Sequence, residues 1–198
     1  MSEEYNSPLL LETIKIAEGE IANLPYHQNR CDQSRQTLFQ STDILDLASV
    51  IQPPPTRLYR CRILYGEKLH SIEYIPYVKK EINSLKIVTS NIDYPLKYAN
   101  RDALNALLES NKEVDEVIIE KEGYLTDITI ANIAFYDGEQ WFTPETPLLK
   151  GTMRAKLIND GFLQKKEIRK EDLNNYTQVA LINAMLGFKI LNHFNIHY

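Results

Sequence analysis

Short apolar runs separated by turn-forming residues dominate this 198-residue chain, and their lengths predict strands more often than helices. Leu9 to Ala17 reads as a strand, Glu18-Gly19-Glu20 as a turn, and Ile21 to Leu24 as the start of a return. Pro25 suits the first turn of a helix, where its missing N–H is harmless. The polar stretch that follows, with scattered apolar residues to Phe39, predicts a partly exposed helix. Ser41-Thr42-Asp43 offers a cap to a short helix ending near Val50, and Gln52-Pro53-Pro54-Pro55 then breaks the chain. Arg57 to Leu64 and Leu69 to Tyr77 predict a hairpin around Tyr65-Gly66-Glu67. Leu58, Tyr59, Arg60 and Arg62 mix faces, as strands near a sheet edge do.

Strand signals are denser in the second half. Leu85 to Thr89 predicts a short strand, and Asn100 to Ser110 an amphipathic helix with Leu104, Leu107 and Leu108 at helical spacing. Asp115 to Glu120 alternates, with Val117 and Ile119 on one face, before a turn at Glu122-Gly123. Strands are expected over Tyr124–Asp127 and Ile130–Tyr136, and Asp137-Gly138 is the signal of a type I′ turn leading back into Gln140–Thr143. A helix from Thr152 to about Asn159 and late strands at Val179–Ile182 and Phe188–Leu191 complete the pattern. The fold class is α+β. A small N-terminal α/β domain over 1–85 and a larger mixed-sheet domain over 86–198 are expected, with a soft boundary between about 80 and 90.

Composition narrows the function classes. With 43% hydrophobic and 25% charged residues, the chain is that of an ordinary globular protein. A net charge of −5 argues against a sequence-independent nucleic-acid binder, while leaving room for a local basic pocket that takes a small anion. Cys31 and Cys61 show no metal-type spacing and read as reduced thiols. No signal-peptide pattern and no apolar run of membrane length stands in the sequence. The expectation is a cytoplasmic protein without a membrane or nucleic-acid partner.

Three positions suggest chemistry. Lys97 follows a strand-like stretch and opens a helix-like one, where its amine could form a Schiff base with an aldehyde cofactor. Its bland alternative is a solvated surface charge. Gly151 precedes a helix, where close backbone approach and the amides of the first turn suit a phosphate; the alternative is a plain loop-to-helix joint. Asp127 interrupts an apolar stretch and is expected to be partly buried with a partner, the alternative being an exposed turn aspartate.

The segment Gly123-Tyr124-Leu125-Thr126-Asp127-Ile128-Thr129-Ile130-Ala131-Asn132-Ile133-Ala134-Phe135 resembles the signature of the class IV aminotransferases, G-x-[VIL]-[TS]-E-x4-N-[IL]-[FW]. Asp137-Gly138, Trp141-Phe142-Thr143-Pro144 and Leu148-Leu149-Lys150-Gly151-Thr152-Met153-Arg154 continue the family pattern in order. Upstream, Leu96-Lys97-Tyr98-Ala99-Asn100-Arg101 is similar to the family's lysine segment, His27-Gln28-Asn29-Arg30 to H-[LI]-x-R, and Leu11-Glu12-Thr13 to F-E-T. Late in the chain, Leu181-Ile182-Asn183-Ala184 resembles the segment that closes the phosphate site.

The resemblance implies a pyridoxal 5′-phosphate enzyme with the D-amino acid aminotransferase-like fold and a homodimeric assembly. Lys97 would be the imine lysine and general base. Asp127 would face the pyridine nitrogen, in place of the family's glutamate and one methylene shorter. Arg30 would meet the phosphate with its fork, Gly151, Thr152, Met153, Asn183 and Ala184 would form the phosphate cup, and Leu149 would press on one ring face. Arg60, Arg62, Arg101 and Arg154 are candidates for a substrate carboxylate, Tyr94 and Tyr98 for the pocket wall, and His27 reads as structural. The substrate would be an amino acid or aminodeoxychorismate. The reaction implied first is pyruvate elimination to p-aminobenzoate, with D-amino acid or branched-chain transamination as the alternative. A cofactor-binding protein of low activity and a cofactor-free interaction module are readings from other classes.

Overall fold

The computed structural model describes residues 7–192 and 195–197. The chain forms two compact units, Met1–Tyr77 with Leu96–Arg101, and Val78–Pro95 with Asp102–Tyr198. The break therefore lies at Tyr77/Val78 rather than near 85, and the Lys97 segment, expected in the second domain, returns to the first. The cause is a short backbone ladder to the first strand: Leu11 N–H donates to the Lys97 carbonyl at 2.9 Å, Ala99 N–H donates to the Leu9 carbonyl at 2.8 Å, and Tyr98 bridges Leu10.

In the first unit, β1 (Leu10–Ala17), β2 (Glu20–Ile21), β3 (Leu58–Tyr65) and β4 (Leu69–Pro76) form an antiparallel sheet in the order β2-β1-β3-β4. The helices are α1 (Leu24–Phe39) and α2 (Leu47–Val50). Alternation along β1 and β3 turns Leu10, Ile14, Ile16, Cys61, Ile63 and Tyr65 to one face, where they pack with Cys31 of α1 and Leu47 of α2. The charged residues that suggested an edge strand have another cause. β3 lies inside the sheet between β1 and β4, and Arg60 and Arg62 occupy the face opposite the core, with Arg62 paired to Glu73 of β4 at 3.0 Å.

The helix α1 buries an unusually polar stripe, His27, Cys31, Ser34 and Arg35, at helical spacing. Arg35 donates to the Asp43 carbonyl at 2.7 Å and the Asp43 carboxylate at 3.0 Å, and its remaining donors reach the Glu67 carbonyl. Asp43 is thereby taken from the capping role suggested by the Ser41-Thr42-Asp43 run. Asp46 caps α2 instead, accepting from Ala48 N–H at 3.0 Å.

The second unit holds β5 (Ser84–Thr89), α3 (Asp102–Glu109), β6 (Glu116–Lys121), β7 (Tyr124–Ile128), β8 (Asn132–Tyr136), β9 (Trp141–Pro144), α4 (Thr152–Asn159), β10 (Leu163–Lys166), a 3₁₀ helix Lys170–Asn175, β11 (Gln178–Asn183), β12 (Gly187–Ile190) and β13 (Asn195–His197). The sheet runs β10-β9-β8-β7-β6-β5-β13, with β11 pairing both β8 and β12. It is mixed: β5 pairs parallel to β6 and β13, and β9 parallel to β10. β10, β13 and the 3₁₀ helix were not expected, because their short polar sequences carry little periodic signal.

Two local expectations change. The alternating Asp115–Glu120 stretch suggested one buried face, but Glu116 through Glu120 are all buried, since β6 is central to the sheet and covered on both sides. The type I′ turn lies at Glu122-Gly123, where a two-residue loop joins Lys121 and Tyr124 and both φ values are positive, 53° and 83°. At Asp137-Gly138 only the glycine has positive φ, and the Asp137 carboxylate closes a wider turn by accepting from Glu139 N–H at 2.9 Å and Gln140 N–H at 2.8 Å. Among the described residues no helix is long and apolar enough to cross a membrane, and no group of His, Cys, Asp and Glu could hold a metal.

Candidate active site

In the first unit, alternation along β1 places Glu12 on the same face as Leu10, Ile14 and Ile16, and the carboxylate is wholly buried. Three donors from α1 converge on it. Arg30 donates from Nε to Oε1 at 2.8 Å and from Nη2 to Oε2 at 2.6 Å, while His27 Nδ1 lies 2.5 Å from Oε2. Burial alone would push the Glu12 carboxyl up. Arg30 beside it, and the hydrogen bonds from His27 and Arg30, hold it down to about 2 instead. His27 and Arg30 lie three residues apart, just under one helical turn, so the H-x-x-R spacing delivers both to one carboxylate.

Lys97 lies beside this cluster, its carbonyl tied to Leu11, the residue preceding Glu12. The residue keeps some accessible surface, but the protein around its amine strips it of water. That desolvation, with repulsion from Arg30 and Arg101, lowers the amine to about 7 against the attraction of Glu12. A lysine so placed carries a large fraction of neutral, nucleophilic amine near neutral pH. Two further groups sense the Glu12 charge. Burial and Glu12 raise the Cys31 thiol to about 12 and push the Tyr65 hydroxyl above its ordinary range, so both stay neutral. Cys61 is likewise raised, to about 11, by burial.

In the second unit, β7 and β8 are joined by a single register pair, Asp127 with Asn132. The Asn132 amide donates to Asp127 Oδ1 at 2.7 Å and to the Leu149 carbonyl at 2.8 Å, and Leu149 N–H donates to Asp127 Oδ2 at 2.9 Å. Asp127 is 3% exposed, and burial outweighs these donors and the more distant Arg154, leaving the carboxyl raised to about 6. Gly151 caps α4 with ordinary negative φ. Its lack of a side chain is required all the same, because a Cβ would stand 2.1 Å from Asn132 Oδ1. Thr152 and Met153 follow as the first residues of α4, and their amides belong to its first turn.

The Asn183 side chain organises the β11–β12 turn. It accepts from Met185 N–H at 3.0 Å and Leu186 N–H at 2.8 Å and donates to the Ile130 carbonyl at 3.2 Å. Ala184 follows in that turn. Of the arginines considered for a substrate carboxylate, Arg154 is 5% exposed and bound to Thr143 Oγ1 at 3.2 Å and the Pro144 carbonyl at 2.7 Å, which makes it a brace for the turn before α4. Arg62 is paired with Glu73, and the Nε of Arg60 is buried without a hydrogen-bond partner.

The sequence pattern by itself gives no role to Asn132 or Glu12. Both stand within the family-like segments, and Glu12 also carries a positional signal, a carboxylate on the apolar face of a strand.

The Amino-transferase class IV family pattern matches residues 94–191. A protein of Haemophilus influenzae named only as uncharacterized is 38% identical over 184 residues, which cover 90% of this chain and 98% of that protein. A crystal structure titled as a candidate 4-amino-4-deoxychorismate lyase from Haemophilus somnus superposes with a TM-score of 0.85 at 37% identity, over 94% of this chain and 99% of that one. A hypothetical aminotransferase from Mycobacterium tuberculosis, solved in its PLP-bound form, shares the fold with a TM-score of 0.77 at 14% identity, over 96% of this chain and 82% of that one.

Proposed function

The chain belongs to the class IV aminotransferases, a family of pyridoxal-phosphate-dependent enzymes, and from that premise we propose that it binds pyridoxal 5′-phosphate and eliminates pyruvate from aminodeoxychorismate to leave p-aminobenzoate. One observation carries the reading: the Lys97 amine, lowered to about 7, is both nucleophile and proton carrier near neutral pH. The residues present fit the cofactor. A buried carboxyl raised to about 6 marks a place short of positive charge, and a protonated ring nitrogen would supply it to Asp127. When bound, the cofactor supplies the electron-withdrawing ring on which the chemistry depends.

The chain's own residues do the rest. Lys97 holds the cofactor through its amine and moves the proton at the substrate α-carbon. Asp127, fixed by Asn132 and Leu149, keeps the ring nitrogen protonated. On this reading Arg30 and the backbone of Gly151, Thr152, Met153, Asn183 and Ala184 would hold the phosphate, and Leu149 would cover a ring face. Glu12 occupies the Nε–Nη2 edge of Arg30, so a phosphate would not be met through that edge of the guanidinium. A homodimer in the cytoplasm completes the reading. The lyase assignment rests on the likeness to the Haemophilus somnus structure.

The test is direct. Purified protein with pyridoxal phosphate should develop a visible absorbance band, and borohydride should fix the cofactor on Lys97. Pyruvate should then appear from aminodeoxychorismate. Transamination of D-alanine without pyruvate release from aminodeoxychorismate would replace the lyase with an aminotransferase, and failure to take up the cofactor would overturn both.

A further inference from the structure

We propose that Glu12 is a positioning residue with two tasks: it clamps the Arg30 guanidinium and supplies a negative charge that acts on the Lys97 amine. The inference rests on the reading of Lys97 as the cofactor-binding amine. It begins with a costly placement. Glu12 lies on the apolar face of β1, among Leu10, Ile14 and Ile16. A buried ion pair is on average no more stabilising than apolar residues of the same volume, so packing alone gives no reason for a carboxylate there.

The surroundings give one. The charged groups acting on Lys97 are Arg30 from α1, Arg101 from its own segment, and Glu12 from β1. The other titratable groups around Glu12 are His27 and Cys31 of α1 and Tyr65 of β3; the thiol and the phenol are held neutral by burial, so neither can replace it as an anion. Without Glu12, the repulsion of Arg30 and Arg101 would lose the attraction that opposes it, and the Lys97 amine would hold a proton less readily. With Glu12, the amine is balanced between accepting a proton and releasing it. The backbone fixes the pair in place, since the Lys97 carbonyl is bonded to Leu11 N–H, next to Glu12. The same carboxylate holds Arg30 by two parallel bonds, which removes the rotamer freedom of the side chain before any ligand arrives.

Competitive acetylation of Lys97 in the cofactor-free protein, followed across pH by peptide mass spectrometry, reads the charge of the amine directly. The wild-type midpoint is expected near about 7. In Glu12→Gln the midpoint should fall by about one pH unit or more. In Glu12→Asp, which keeps the charge, it should stay near the wild-type value even if the fold is less stable. If Glu12→Gln does not fold, Arg30→Met and the double variant Glu12→Gln/Arg30→Met remove the orphaned charge, and the double variant should titrate lower than Arg30→Met alone. An unmoved midpoint in Glu12→Gln, an equal fall in Glu12→Asp, or identical midpoints in the fallback pair would overturn the assignment. The cofactor reading fails separately, if borohydride with pyridoxal phosphate does not mark Lys97 in the wild type.

Discussion

Glu12 and Asp127 are both buried carboxylates, yet their environments push them in opposite directions. Glu12 meets a guanidinium fork and a histidine and is held at about 2. Asp127 meets an amide and a backbone N–H, with Arg154 acting only from a distance, and is raised to about 6. Desolvation is the first cause at both sites, so the difference lies in the partners. Formal positive charge within contact outweighs burial, and neutral donors do not. Glu12 is thus a satisfied anion that shapes its neighbours, whereas Asp127 is an anion awaiting a cation.

The largest expected effect concerns the group that Glu12 shapes. Lys97→Ala should lower the rate of pyruvate release by about 10²- to 10⁴-fold, as loss of a positioned base does, while Asp127→Asn should retain cofactor uptake and lose turnover; a coupled pyruvate assay measures both. Glu12→Ala strands Arg30 and His27 and should cost about 3–5 kcal/mol in urea unfolding. Asp127→Ala removes an ion already disfavoured by burial and should cost only about 1–3 kcal/mol, from the donors left unpaired on Asn132 and Leu149. Equal costs would break the comparison.

The pH dependence sharpens it further, because the signs differ. The folded pKa of Glu12 lies below its ordinary value of 4.5, so its stabilisation is complete above about pH 4.5 and is lost as pH falls toward about 2. The folded pKa of Asp127 lies above its ordinary value of 3.8, so its contribution is favourable below that value and is lost as pH rises through about 6. In urea midpoints of the cofactor-free protein, Glu12→Gln should flatten the acid limb and Asp127→Asn should remove the decline between about pH 4 and 6. Gly151→Ala is the smallest change and tests the scaffold of Asp127. The added Cβ runs into Asn132 Oδ1 and should cost about 1–3 kcal/mol. Combining it with Asn132→Ala should be less than additive, a coupling that a double-mutant cycle would reveal.

Much of the architecture was legible in local pattern. The strand and helix signals from Leu10 to Phe39 and from Tyr124 to Asn159 agree with the observed elements, because period-2 and period-3.6 burial leave marks in any half-buried segment. Those marks fail where burial is two-sided, as in β6, or where a strand is short and polar, as in β10. The type I′ turn forms at Glu122-Gly123 and not at Asp137-Gly138, since Asp-Gly and Glu-Gly differ less in sequence than in the loop length that pairing permits. Of the site, the ordered motifs pointed to the Lys97, Asp127 and Gly151 segments, and the structure shows what surrounds each.

By itself the sequence determined the family, most of the half-buried strands and helices and the residue types available for chemistry, all of which follow from nearest neighbours along the chain. Tertiary structure alone decided the charge states. A lysine, a glutamate and an aspartate leave their ordinary ranges only when distant strands and helices strip them of water and set other charges beside them, and no linear spacing encodes that dielectric. Tertiary structure also decided that Lys97 returns to the first unit, through backbone bonds to Leu9 and Leu11 that bridge more than eighty positions of sequence.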